Sequence, residues 1–130
     1  MKNVFTSVVL MFLLTSCTST TKFPVSSVTP EADISATVKK DKSNNYAISV
    51  TAKNLASAER LSPPKKTYIV WIETRDNGVK NIGQLKGKRD KDAKLETVSS
   101  FDPLEIIITA ENESDISYPT GIEISRSRIK

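Results

Sequence analysis

The chain has 130 residues with a formal net charge of +4, a single cysteine and no histidine. This length fits one small domain, and the charge excess is too slight to indicate nucleic-acid binding. The residue inventory excludes a Cys/His nucleophile pair, a Ser-His-Asp triad, a histidine-based zinc site and an intramolecular disulfide.

The N-terminus predicts a signal peptide over residues 1–16. A basic start is followed by an apolar run over 4–14 that is too short to span a bilayer, and Leu14-Thr15-Ser16-Cys17 closes it. This ending resembles the bacterial lipobox, which implies lipidation of Cys17 and an extracytoplasmic place in the cell envelope. Thr18 stands where aspartate marks inner-membrane retention in enterobacteria, which favours the outer membrane. The alternative is an ordinary signal peptidase that leaves Cys17 as an incidental residue.

Residues 17–30 are rich in Ser, Thr and Pro and predict a flexible tether, so the folded domain is expected over 31–130. Seven segments of the domain have strand character, and turn residues separate most of them. Residues 55–66 predict one or two helical turns, ended by Pro63-Pro64, within a crossover loop. The seven predicted strands cover 32–38, 46–52, 67–75, 79–85, 95–101, 104–110 and 121–129. Together they predict an all-β fold, an antiparallel sandwich of immunoglobulin-like size.

Two of these segments carry the clearest signals. Residues 67–75 (TYIVWIETR) are β-branched or aromatic on both faces, as a central strand covered on both sides would be. We therefore expect Trp71 to belong to the core rather than to a ligand-stacking surface. The Asn77-Gly78 pair that follows predicts a tight hairpin.

Residues 86–94 (KGKRDKDAK) contain no large apolar side chain and predict an exposed, mobile loop. Five cations on one segment could follow an anionic surface such as phospholipid, lipopolysaccharide or an acidic glycan. The alternative is a role in solubility alone. The candidate anion-binding residues are Lys86, Lys88, Arg89, Lys91 and Lys94.

Four short segments follow one another in the order YIVWI (68–72), GQL (83–85), IITAE (107–111) and PTG (119–121). Their order and spacing resemble the extracytoplasmic C-terminal domain of anti-sigma-K factors. The resemblance covers less than half of the chain and implies a small β-sandwich. The sigma-binding helical domain and the transmembrane helix of that family have no counterpart here, so anti-sigma activity is not expected.

Acidic residues offer two weaker candidates. Glu111, Glu113 and Asp115 could supply oxygen ligands to calcium, but acids in one exposed loop usually stay solvated; Asp90 and Asp92 lie among compensating cations. Paired carboxylates for hydrolysis, such as Glu73 with Glu105 or Glu123, are not selected by any spacing. We therefore expect no metal and no cofactor.

The sequence thus predicts a lipid-anchored envelope protein that is not an enzyme and that binds or supports other components, with a structural or stress-linked role. Its expected partners are the membrane, through the anchor, and an envelope protein or an anionic glycan or lipid. Two alternatives remain open at this point. One is a carbohydrate-binding or adhesin module, which would expose two or three aromatic side chains on one face, and the other is a carboxylate-based polysaccharide hydrolase, which needs an apolar cleft holding two acids.

Overall fold

The computed structural model describes residues 18–89 and 91–129 of the chain. These residues form eight strands and one turn of 3₁₀ helix at Ala58–Arg60, which matches the short helical turn expected within 55–66. The strands are β1 (Thr18–Lys22), β2 (Asp33–Lys40), β3 (Tyr46–Lys53), β4 (Thr67–Thr74), β5 (Gly78–Arg89), β6 (Asp92–Ser99), β7 (Pro103–Glu111) and β8 (Ile122–Arg128).

All eight strands belong to one antiparallel sheet, in the order β1-β2-β3-β6-β5-β4-β7-β8. Strand β5 makes the sheet continuous, because residues 78–85 pair with β4 and residues 86–89 pair with β6. A bulge interrupts the β4–β5 ladder at Val70/Trp71, opposite Gly83, whose φ of +137° suits glycine. Bulges and glycines increase the twist and bending that let a sheet curl on itself.

The curled sheet is nearly closed and barrel-like. Ser125 on β8 donates a hydrogen bond of 3.1 Å from its Oγ to the carbonyl oxygen of Pro24, just after β1, so the two edge strands approach each other. The all-β prediction is confirmed, but there are eight strands rather than seven. The immunoglobulin-like sandwich is not confirmed, since the hydrogen-bonded order runs unbroken through all eight strands.

The main core fills the inside of this curled sheet. Alternate residues of each central strand point inward, as the predicted period of two requires. Large side chains that are almost completely buried there include Ile48, Val50, Val70, Ile72, Ile106 and Ile108.

The predicted tether is wrong over its described part. Residues 18–22 form β1, which pairs with β2 from Thr18↔Lys39 to Lys22↔Ser35. Phe23 then packs into the core, and Ser26 Oγ accepts hydrogen bonds from the amides of Val28 and Thr29. An edge strand is held by main-chain hydrogen bonds, so a Ser/Thr-rich segment can form one without an apolar pattern.

Two predicted reversals are confirmed. The turn 41–45 joins β2 to β3, and Asp41 Oδ1 accepts the amides of Ser43 at 2.8 Å and Asn45 at 3.0 Å. The β4–β5 hairpin turns through 75–77 into Gly78, whose φ is +70°.

The predicted loop over 86–94 is wrong as secondary structure, because these residues form a hairpin, whereas the predicted exposure is confirmed at Lys86, Gly87 and Lys91. Strand β5 continues to Arg89 and β6 begins at Asp92, with Lys91 near the reversal at a φ of +65°. The hairpin contributes the small side chain of Ala93 to the core, and its turn is tied to Leu55 by a main-chain hydrogen bond. Asp90 lies outside the described residues.

The strands give the molecule two ends. The Thr18 end holds the start of β1 and the turn 41–45, while the Lys91 end holds the β5–β6 turn and the segment 54–66. Strand β2 runs eight residues from one end to the other. At about 3.3 Å per residue, the seven steps along this strand place the two ends about 23 Å apart.

Candidate functional site

An elongated groove opens at the Lys91 end. It consists of two adjoining cavities of about 580 and about 330 Å³ that share Ala56, Arg60 and Lys91. The larger cavity has an apolar floor formed by Leu55, Ala58, Tyr68, Leu85 and Ala93. The groove therefore combines apolar surface with the cationic residues described next.

Three cations line the larger cavity: Arg60, Lys66 and Lys91, all exposed. Asp92 is the one acid among the residues that line this cavity, and Glu31 lines the smaller one. The larger cavity thus has an excess of positive charge, which attracts anionic ligands. This attraction weakens at higher salt, because salt shortens the screening length.

Backbone hydrogen bonds hold the main chain in place at each of these three cationic residues. The amide of Leu55 donates to the carbonyl oxygen of Lys91 at 2.8 Å, which ties the segment 54–66 to the β5–β6 turn. The amide of Arg60 donates to Ser57 O at 2.9 Å, and that of Lys66 donates to Glu111 O at 3.0 Å. The charged rim is therefore built on fixed main chain.

Tyr68 fixes the floor of the groove. Its hydroxyl donates a hydrogen bond of 2.6 Å to the carbonyl oxygen of Ala56. Burial raises the pKa of Tyr68 to about 12, so the hydroxyl remains a protonated donor across the physiological range. This contact links β4 to the residue that both cavities share.

The five predicted anion-binding residues all lie on the β5–β6 hairpin, where Lys86 is paired with Lys94. Lys91 lines the groove, Lys86 is exposed on β5, and Lys94 makes an ion pair of 2.7 Å with Glu96. The side chains of Lys88 and Arg89 lie outside the description. Sequence reasoning missed Arg60 and Lys66, because only the topology brings the segment 54–66 beside the β5–β6 turn.

A second buried cluster lies on the outer face of the sheet, where Trp71 packs with Ile69 and Ile107 beneath Ile116 of the loop 112–121. Trp71 is fully buried, which confirms its predicted place in a core. Asn81 holds the loop over this cluster, since its Nδ2 donates to the carbonyl oxygens of Ser114 and Ile116. Trp71 is therefore not available for stacking against a ligand.

A chain of buried hydrogen bonds continues from this tryptophan. Trp71 Nε1 donates to Thr109 Oγ1 at 2.8 Å, and Thr109 Oγ1 donates to Glu111 Oε2 at 2.6 Å. From the loop, Thr120 Oγ1 donates to Glu111 Oε1 at 2.9 Å. Glu111 is only 1 % exposed, so its predicted solvation is wrong. It does not cluster with Glu113 and Asp115, which are exposed.

Pairing of β4 with β7 places Glu73 beside Glu105. Arg126 contacts both Glu123 and Glu105, the latter at 3.6 Å. Desolvation, and then the hydrogen bond with Glu73, raises the pKa of Glu105, whereas Arg126 and Arg128 act in the opposite direction. None of these three acids lines either cavity of the groove.

This carboxylate pair predicts a pH dependence of stability. Because the pKa of Glu105 is raised by folding, its contribution to stability is fully present below the unfolded-state pKa and is lost as pH rises through the folded-state pKa. We expect Glu105→Gln to remove this loss. The free energy of unfolding of the variant, minus that of the native protein, should therefore increase from about pH 4 to about pH 7. Urea denaturation at both pH values measures it, with the exposed Glu113→Gln as the control. A constant difference between native protein and Glu105→Gln across this range would contradict the pKa shift.

Two further observations concern the whole described chain. Within residues 18–89 and 91–129, no group of three or more metal-ligating acids or thiols is placed to hold a metal ion. Nor does this part of the protein contain a helix with the length and hydrophobicity needed to cross a membrane.

Comparison with known proteins found no match among protein-family models, curated proteins or solved structures. The resemblance to the extracytoplasmic domain of anti-sigma-K factors therefore stays a prediction. The residues that carry it include Trp71, Thr109, Glu111 and Thr120, which are joined by the hydrogen bonds described above.

Proposed function

We propose that this protein is a lipid-anchored binding module of the bacterial cell envelope, held to its membrane through Cys17, that captures an anionic glycan in the groove at the Lys91 end. The observation that carries the proposal is the larger cavity, where Arg60, Lys66 and Lys91 meet an apolar floor. A stress-linked role for such a module stays a prediction.

The position of the anchor favours a glycan over the anchoring membrane as the partner of this groove. Cys17 is covalently attached to Thr18, and Thr18 begins β1 at the opposite end of the sheet. The groove is about 23 Å from that end. Because the Debye length is about 8 Å at physiological ionic strength, its cations are screened from the headgroups of the anchoring leaflet.

The shape of the groove favours a polymer. Two adjoining cavities that share three residues form an elongated track. The carboxylates of Asp92 and Glu31 can accept hydrogen bonds from neutral sugar hydroxyls along it. Binding rather than hydrolysis is proposed because neither cavity holds two acids: Asp92 lines the larger one, Glu31 lines the smaller one, and Glu73, Glu105 and Glu123 line neither.

The test is a titration in which polygalacturonate is added to the processed, lipidated protein in mild detergent. Neutral dextran is the uncharged comparison. We expect the protein to bind polygalacturonate in a salt-sensitive manner and not to bind dextran. The triple variant Arg60→Gln, Lys66→Gln, Lys91→Gln should bind between about 3-fold and about 150-fold more weakly, since exposed ion pairs contribute roughly 0.2 to 1 kcal/mol each.

The matched control carries the same loss of charge at the Thr18 end, through Lys39→Gln, Lys40→Gln and Lys42→Gln. It should retain the native affinity for polygalacturonate. Equal weakening by both triple variants would show that net charge alone governs binding, and an unchanged affinity in the groove variant would remove the groove from the proposal.

A further inference from the structure

The Thr18 end carries its own basic and apolar surface. Lys39, Lys40 and Lys42 are exposed in and beside the turn 41–45. On the adjacent strands, Ala47 pairs with Val98, and both are exposed, Val98 by 65 %. We call these five residues the turn surface.

The acid within this turn is already engaged. Asp41 Oδ1 accepts the amides of Ser43 and Asn45, which shapes the turn and holds this carboxylate against the main chain. The lysines around it therefore present an excess of positive charge. Lys39 and Val98 also line one shallow cavity, so charge and apolar surface are contiguous there; the acid of this cavity, Glu96, makes an ion pair of 2.7 Å with Lys94.

Register places this surface beside the anchor. Thr18 pairs directly with Lys39, and only one peptide bond separates Thr18 from Cys17. Because β1 begins at Thr18, the described chain leaves no long flexible spacer in which an attached lipid could move away from the turn surface. The expected anchor at Cys17 carries more than one acyl chain and is sufficient for stable attachment by itself, so a polybasic patch beside it acts on orientation rather than on attachment.

From these contacts we infer that the turn surface lies against anionic phospholipid headgroups of the anchoring leaflet and orients the sheet with its Lys91 end away from that membrane. This inference rests on the proposed anchor at Cys17 but not on glycan binding. Three lysines near an anionic surface favour this orientation by about a hundredfold. Val98 and Ala47 reach the boundary between headgroups and acyl chains, where small apolar groups are stabilised.

The single cysteine of the chain makes the orientation measurable. Once Cys17 is lipidated, its sulfur is a thioether, so an introduced cysteine is the only thiol that a fluorescent maleimide can label. Ser43→Cys places the dye next to Lys42 of the turn surface, and Ser57→Cys places it in an exposed position at the Lys91 end. Both changes are the same conservative substitution.

The lipidated proteins are reconstituted in vesicles of phosphatidylcholine and phosphatidylglycerol that carry a headgroup quencher, after incorporation of labelled palmitate has been verified. We expect several-fold stronger quenching of the dye at position 43 than of the dye at position 57. Lys39→Gln, Lys40→Gln and Lys42→Gln together should reduce this difference, whereas the control Lys22→Gln, Lys53→Gln and Lys65→Gln should preserve it.

The outcomes separate this inference from the anchor. Palmitate incorporation with equal quenching at both positions, or with stronger quenching at position 57, overturns the orientation and leaves the anchor standing. An unchanged quenching difference in the Lys39/Lys40/Lys42 variant overturns the role of these lysines. Failure to incorporate palmitate overturns the anchor, and this inference with it.

Discussion

Trp71→Ala is expected to destabilise the protein by about 3 to 5 kcal/mol, the range seen when a buried aromatic side chain is removed. Trp71 is 0 % exposed and anchors the cluster beneath the loop 112–121. Its loss also deprives Thr109 Oγ1 of a donor at 2.8 Å. Urea denaturation followed by circular dichroism measures the change, because the variant contains no tryptophan to report on its own unfolding.

Two further variants divide this effect into its parts. Trp71→Phe keeps most of the apolar volume but loses the indole N–H, so it should cost much less than Trp71→Ala. Tyr118→Ala removes an aromatic side chain that is 68 % exposed and should change stability by less than about 0.5 kcal/mol. Equal small losses in Trp71→Ala and Tyr118→Ala would place Trp71 at the surface.

Gly121→Ala is expected to cost about 3 kcal/mol, although the change adds a single methyl group. A Cβ at position 121 would lie 2.0 Å from the carbonyl oxygen of Ala110 and 2.8 Å from Glu111 Oε1. The first of these atoms belongs to the backbone of β7 and cannot move aside without breaking ladder contacts. The loop 112–121 would therefore lift from the outer face and weaken the hydrogen bonds from Thr120 to Glu111.

Gly87→Ala is the matched control for this prediction. Its Cβ would meet only the carbonyl oxygen of Asp92, at 3.8 Å, which is an ordinary van der Waals contact. Thermal denaturation of both variants should therefore show a large loss of stability for Gly121→Ala and little change for Gly87→Ala. A native melting temperature in Gly121→Ala would contradict the close approach of the loop to β7.

The sequence predicted the strands that carry a regular apolar pattern, on one face or on both. Alternation identified β2 and β3, and dense β-branched and aromatic composition identified β4, because burial on one or both faces leaves a periodic mark. Turn chemistry at Asn77-Gly78 marked a reversal independently of burial. These signals are local, so they could be recognised without knowing which strands are neighbours.

Features that depend on distant partners were not predicted. Strand β1 is held by main-chain bonds to β2, and the 86–94 hairpin contributes only the small Ala93 among its described side chains to the core, so neither leaves an apolar pattern. Closure of the sheet depends on β5 pairing with β4 in one half and with β6 in the other, which composition does not reveal.

The candidate site was predicted only in part. Charge density selected Lys91, but its neighbours Arg60 and Lys66 lie in a segment of ordinary composition about 30 residues earlier. Glu111 was expected in solvent because the residues after it are polar and exposed. Its burial follows from Thr109, Thr120 and the covering loop, a combination that requires the folded topology.

The most direct test of the proposed glycan-binding groove is a nuclear magnetic resonance titration of the processed, isotopically labelled protein with short oligomers of galacturonate. Binding in the groove should shift the backbone amide resonances of Ala56, Arg60, Lys66 and Lys91 progressively and leave those of the turn 41–45 unchanged. Shifts confined to the turn 41–45, or no shifts in the groove at saturating oligomer, would contradict the proposed glycan-binding groove.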